Sequence, residues 1–272
     1  MNSIHHAICL AALVASLVCP QEPQTTPPAP AAAPAPAANP YLSDASITQS
    51  ESTIHIIANS ARPLAQVLDA LRQKYGWVVD YEDPQYLSKA DIVERPGLRG
   101  ASLSLPAGGT FSVDVPPGIP ATAPPPEDKT LQLILDAYNQ SKNPGRFALR
   151  KNEDGSYALA GIGAQDEKGK IVPQAVLFDQ PITLPKKERT VTENLQLICQ
   201  KIAELSHVQI NVGVTPRVLM DHKNVMVGGT KAQARTLLLS TLESTGHAMY
   251  WRLFFDPKSK SYSLSIHVVH AQ

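Results

Sequence analysis

"SARPLAQVLDALRQKYGWVVDYEDP", residues 60–84, decides how this chain reads. Leu64, Val67, Leu68, Leu71 and Tyr75 recur at i, i+3, i+4, i+7 and i+11, which draws one apolar stripe along a helix. Pro63 suits a first helical turn, where its missing N–H costs nothing, and Gly76 suits the stop. "WVVDY" (77–81) follows with the β-branched and aromatic content of a strand, and "TIHIIA" (53–58) precedes as another. The unit is strand, helix, strand.

Working outward, the same order continues. After a variable stretch containing "SLSL" and "FSVDV", Leu131, Ile134, Leu135 and Tyr138 repeat the helical spacing, and Asn143, Pro144 and Gly145 end it. "RFALRKNEDGSYALAG" (146–161) reads as a hairpin with Asp154-Gly155 at its turn. The second half replays the pattern. "AVLFDQPITL" is a strand region, and Val191, Leu195, Ile198, Cys199, Ile202 and Leu205 make a helical stripe. "VQINVGV" and "NVMVGG" read as strands, and Ala234, Leu237, Leu238 and Leu242 as a last buried helix face. Thr190 with Glu193 and Thr230 with Gln233 are spaced as capping boxes at the starts of these two helices. "AMYWRLFFDPKSKSYSLSIHVV" closes as a hairpin whose returning strand opens with Ser261-Tyr262, as the first hairpin's opens with Ser156-Tyr157.

The fold class predicted is α+β, with two tandem β-α-β-β-α-β-β modules over 51–164 and 171–272, each laying two helices on one face of a small mixed sheet. A Pro-rich stretch at 116–128 interrupts the first as a surface loop. Ahead of them, residues 20–50 begin as alternating Pro and Ala with almost nothing to bury, and read as an extended, solvated linker. Residues 1–19 have a polar start, an apolar run from Ala7 to Val18 and a small-residue end, the outline of a secretory signal peptide. That run is too short to span a bilayer, which needs about 20 apolar residues, so no transmembrane segment is expected in the mature chain. The expected location is the periplasm or the exterior. Lipidation at Cys19 is the lesser alternative, because Val18 stands where a lipobox wants a small residue. With Cys9 and Cys19 in the removed segment, Cys199 has no intramolecular partner, and packing alone must hold the fold.

Lys plus Arg equals Asp plus Glu at 24 each, which gives no electrostatic footprint for nucleic acid. No G-x-S-x-G or H-E-x-x-H occurs, so neither a nucleophile elbow nor a zincin helix is encoded. His267 and His270 lie three apart on a strand, where side chains point to opposite faces and share no metal. Cys199 lies on an apolar stripe and reads as core. "VGGTKAQ" (227–233) places glycines before a helix start, which needs no more explanation than a strand-to-helix turn. "PKKER" (185–189) reads as an exposed loop. No catalytic residue, cofactor or metal ligand is assigned. In "YWRLFF" (250–255), alternation puts Tyr250, Arg252 and Phe254 on a face too aromatic for idle solvent contact, which marks them as packing on the other half or on a partner.

The residues Arg62, Pro63, Leu64, Leu68, Leu71, Gly76 and Tyr81 resemble the short N-terminal domain shared by secretins and TonB-dependent receptors. Arg189, Leu195, Ile198 and Ile202 keep a looser version in the second half, without the proline and glycine. The resemblance implies a periplasmic, non-catalytic docking function, with an envelope protein such as a secretin or a TonB-system component as partner. No membrane β-barrel or secretin core follows, so it implies a free-standing accessory. The alternative is a small-ligand or glycan-binding protein that uses the cleft between the modules, with Trp77, Tyr81 and Tyr86 as stacking residues.

Overall fold

In the computed structural model, which describes residues 45–96 and 102–269, β1 (Ser46–Gln49) and β2 (Ile54–Asn59) lead into α1 (Pro63–Tyr75) and β3 (Val79–Glu82). Gly76 ends the helix at φ 75°, a left-handed conformation that side chains with a Cβ avoid, and its N–H closes on the Arg72 carbonyl. β1 pairs antiparallel with β2, so folded structure begins inside the stretch read as linker. The expected signal peptide, Cys19 and the linker as far as residue 44 lie outside the described residues.

A 3-10 turn at Lys89–Asp91 reaches the antiparallel pair β4 (Ile92–Pro96) and β5 (Ser102–Pro106), and β6 (Thr110–Val115) returns to pair with β2. Next come α2 (Glu127–Gln140) and the hairpin of β7 (Arg146–Lys151) with β8 (Tyr157–Gln165). The second half runs β9 (Ile171–Pro173), a 3-10 turn at Leu177–Asp179, β10 (Pro181–Thr190), α3 (Val191–Ser206) and β11 (Gln209–Val212). A short α4 (Arg217–Met220), β12 (Asn224–Gln233), α5 (Ala234–Glu243) and the hairpin of β13 (Met249–Asp256) with β14 (Ser261–Val268) complete it.

One expected capping box forms and the other does not. At α3, the Thr190 hydroxyl accepts the Glu193 N–H at 3.1 Å and the Glu193 carboxylate accepts the Thr190 N–H at 2.8 Å. Thr230 to Gln233 instead belong to β12, where Ala232 lies opposite Ile182 and Gln233 opposite Pro181, so the ladder to β10 takes that backbone. "PKKER" is likewise part of β10 and not a loop.

The chain is a mixed α/β protein. Strands expected to form two small sheets join into one, in the order β11-β14-β13-β3-β8-β7 with β9 alongside β8. The junction is parallel: Arg252 of β13 lies opposite Tyr81 of β3, and Leu253 opposite Glu82. Residues opposite each other in a ladder point to the same face. Tyr81 belongs to the core of Leu64, Leu68, Leu131 and Phe147, and Leu253 to the core of Leu195, Ile198, Leu238 and Trp251. The helices of the two halves therefore cover opposite faces of the sheet, and β3 and β13 at its centre are buried on both sides. The described residues belong to one compact unit.

Candidate functional site

Burying β3 on both faces has a cost, because its sequence alternates core residues with acids. Val79 and Tyr81 enter the core of the first half, while Asp80 and Glu82 turn towards the second, and Asp83 follows at the strand end. Each carboxylate finds donors on a neighbouring element. Asp80 accepts the Trp251 N–H at 3.0 Å. Glu82 accepts the Leu177 N–H and lies 3.7 Å from the Arg235 guanidinium. Asp83 accepts four donors: Arg62 Nε at 2.7 Å, the Tyr81 hydroxyl at 2.8 Å, the Tyr86 hydroxyl at 3.1 Å and the Phe255 N–H at 3.0 Å. Burial pushes Asp80 and Glu82 up to about 7, against the pull of those N–H groups and of the nearby arginines. These groups form a seam in which first-half carboxylates bind second-half backbone.

The seam also accounts for the aromatic face of β13. Arg252 donates to the Val79 carbonyl and reaches Asp69 of α1 at 3.2 Å. Tyr250 lies under the Arg72 and Arg252 guanidiniums, 4.3 Å and 4.8 Å from its ring centre, and stacks on His267. Phe254 packs against Tyr81 and beneath Arg62. Tyr250, Arg252 and Phe254 thus meet the other half, the first of the two roles that alternation left open; as a surface for an external partner they are already occupied. Trp77, Tyr81 and Tyr86 are corrected in the same way. All three rings are buried, and the hydroxyls of Tyr81 and Tyr86 are held by Asp83, so none offers a free stacking face. For Tyr81 the reason is register, because a strand inserted between two cores has no solvent side; Trp77, just before β3, packs in the first-half core, and Tyr86, after it, packs in the second-half core against Phe255.

The remaining chemical candidates resolve in the fold. Cys199 is buried among Leu195, Ile198 and Ile202, and burial pushes its thiol up to about 12, far from thiolate reactivity. Gly228 lies where a Cβ would meet the Lys186 backbone at 2.4 Å, so this glycine permits the approach of β10 and cradles no anion. Among the described residues, no group of three or more His, Cys, Asp or Glu is placed to hold a metal ion; His270 lies outside them.

Two features of the seam and sheet remain open. A cavity of about 570 Å³ lies between the β7–β8 turn and one side of α5, lined from the first half by Arg150 to Asp154 and from the second by Asp179, Arg235 and Glu243. Asp179 bridges across it, taking Arg150 Nε at 3.1 Å and Arg235 Nη2 at 2.8 Å. The other feature is β11, which ends the sheet order. Gln209 and Asn211 are exposed, and beyond them Val214 and Val218 are 68% and 87% exposed. The opposite end, β7, is closed: the Asn139 amide accepts the Phe147 N–H at 2.9 Å and donates to the Phe147 carbonyl at 2.8 Å.

Asp80, Glu82, Asp83, Asp179 and Arg235 were not singled out from sequence. Their signal was there in part, because "DYED" puts three carboxylates on an otherwise apolar strand, and Arg235 interrupts an apolar helix face. No protein-family model, curated protein or solved structure matches the chain. No helix among the described residues is long and apolar enough to cross a membrane.

Proposed function

We propose that the chain is a non-enzymatic envelope docking protein whose halves are divergent copies of one β-α-β-β-α-β-β module, and that it docks through the β11 edge. Support for the repeat is positional. In each half a strand lies parallel to the returning strand of a hairpin, with Val79 opposite Tyr157 in one and Ile210 opposite Tyr262 in the other. The export pattern of residues 1–19 supports an envelope location, and the resemblance of Arg62 to Tyr81 to secretin and TonB-receptor modules supports an envelope assembly protein as partner.

The observation that carries docking is the uncharged β11 edge with two valines exposed beside it. An unpaired edge offers a row of backbone donors and acceptors, which an extended segment of a partner can extend as a further strand. The test is affinity capture from solubilised envelopes of the source, comparing the native chain with the Val214→Lys, Val218→Lys variant by mass spectrometry. A secretin or TonB-system component held by the native chain and lost from the variant is the expected result. Identical proteins on both would remove β11 from the reading, and an empty capture on the native chain would end it.

A second reading, binding of a small ligand, is favoured by one observation: the seam cavity is lined from both halves.

A further inference from the structure

A second cavity, of about 630 Å³, lies within the first half, between the start of α1 and the β4–β5 pair. That volume falls in the range of small-molecule sites, about 300–1,000 Å³. Register sets one wall. Val93 lies opposite Leu105 and Arg95 opposite Leu103, so these four share one face of the pair, and all four line the cavity. Alternation turns Glu94 to the other face, where the Ser102 and Ser104 hydroxyls donate to it. Leu103 is 49% exposed, a leucine left open at the rim. The opposite wall comes from α1, through Arg62, Gln66 and Asp69. Gly108 closes one end: a Cβ there would meet the Ala61 carbonyl oxygen at 2.3 Å, so the two backbones touch.

Among the described residues the walls carry two arginines and one acid. The acid is already claimed. Asp69 is held from outside the cavity by Arg72 at 3.4 Å and Arg252 at 3.2 Å, so it does not neutralise Arg62 or Arg95. Arg62 gives Nε to Asp83 and Nη2 to the Phe255 carbonyl, while its Nη1 makes no hydrogen bond and, unlike the sealed Nη1 of Arg235, keeps accessible surface. α1 starts beside it with no side-chain cap and no acid in its first turn, so the positive pole of the helix adds to the same corner. The charge at that corner calls for an anion. Away from it the wall is aliphatic, and among the described residues no aromatic ring lines it, so the surface suits an alkyl chain and offers sugars no stacking face.

We infer that this cavity binds a small aliphatic monocarboxylate, with its alkyl chain along Val93, Leu103 and Leu105 and its carboxylate at Arg62 Nη1 and Arg95. The site lies inside the first half and depends on neither reading above.

Calorimetric titration of the full chain with hexanoate, octanoate, octan-1-ol and octylammonium tests it. Octanoate binds at one site, and each methylene added from hexanoate tightens binding by at most about fourfold, the effect of burying one CH₂ group. Octan-1-ol binds about tenfold more weakly, the scale of one charged hydrogen bond, and octylammonium does not bind. Arg95→Gln weakens octanoate several-fold and leaves octan-1-ol unaffected. Leu103→Glu, at a half-exposed position, sets a like charge beside the chain and removes octanoate binding, and both variants keep the native unfolding midpoint. Octan-1-ol binding as tightly as octanoate, octylammonium binding in its place, or octanoate binding unchanged in both variants would overturn the inference. No heat from octanoate at millimolar concentration would overturn it as well.

Discussion

β3 and β11 hold the same place in the sheet, each parallel to the returning strand of a hairpin, yet one is closed on both faces and the other is open. Taken through their ladders, Asp80 corresponds to Asn211, Glu82 to Gly213 and Asp83 to Val214. The carboxylates occur only where a neighbouring strand follows. Backbone pairing between β3 and β13 spans two residue pairs, too few to hold the halves, and the acids extend it by accepting N–H groups of Trp251 and Phe255. The difference shows that this seam is made mainly by side chains, and that β11 lacks what would close it within the chain.

The strongest way to break this comparison is Asp83→Ala. It leaves Arg62 Nε, two buried hydroxyls and the Phe255 N–H without their acceptor, and Arg62 keeps its Nη2 bond to the Phe255 carbonyl. Removing one partner from a buried charged pair costs about 3–5 kcal/mol, whereas Val214→Ala at the corresponding exposed position should change stability by less than about 0.5 kcal/mol. Denaturant unfolding of both variants measures the contrast. Equal effects would mean that the seam is held by apolar packing alone.

A smaller effect with a definite sign comes from Asp80 and Glu82. In the unfolded chain these acids lose their protons near their ordinary values of 3.8 and 4.5; in the folded chain burial holds them up to about 7. The folded state binds protons more tightly, so the stability these groups contribute is complete below about pH 4 and is lost as pH rises through about 7. Asp256, in the last hairpin, is shifted downward, with burial opposing its bonds from Ser259 and the Lys258 N–H, and works in the opposite direction. Asp80→Asn keeps an oxygen for the Trp251 N–H without the titration. Above about pH 7.5 it should exceed the native chain in stability by about 1–3 kcal/mol, on a scale of about 1.4 kcal/mol per tenfold change in proton affinity. At about pH 3, below the unfolded value of 3.8, the two should be nearly equal. Denaturant midpoints across that range decide it, and parallel curves would place the buried proton elsewhere.

These residues also mark where reading the sequence stops. α1 was legible because stripe, opening proline and closing glycine all agree, and α3 because Thr190 and Glu193 cap each other. The start of α5 was not legible, because the Thr230 spacing fits a cap equally well in a strand, and only the ladder to β10 decides between them. Alternation in "YWRLFF" identified two functional faces of β13, but periodicity carries no information on what covers the second one. That depends on the parallel contact of Arg252 with Tyr81, across 171 positions of sequence. For the same reason Tyr81 looked available for stacking: a strand buried on one side and a strand buried on both have similar local patterns when the second side is lined with acids.

The two ends of the sheet give a sharper version of the comparison. β7 is closed by Asn139, so Asn139→Ala should cost about 1–2 kcal/mol for two lost bonds to Phe147. The same change opens an edge, and sedimentation should show whether a second open edge produces association that the native chain lacks. An unchanged unfolding midpoint would mean that solvent replaces the amide without loss, and β7 would then be as open as β11.

The smallest effect on stability is expected at β11 and carries the most about function. Val214 and Val218 are exposed, so Val214→Lys with Val218→Lys should alter unfolding by less than about 0.5 kcal/mol per site. Charge beside an edge strand discourages its pairing with another chain, which is how many proteins protect such edges. If the double variant keeps its fold and loses its envelope partner, the edge is the docking surface and the acids of β3 are what its counterpart has in place of a partner. If it keeps both, the valines are incidental, and the seam cavity becomes the part of the molecule that meets another.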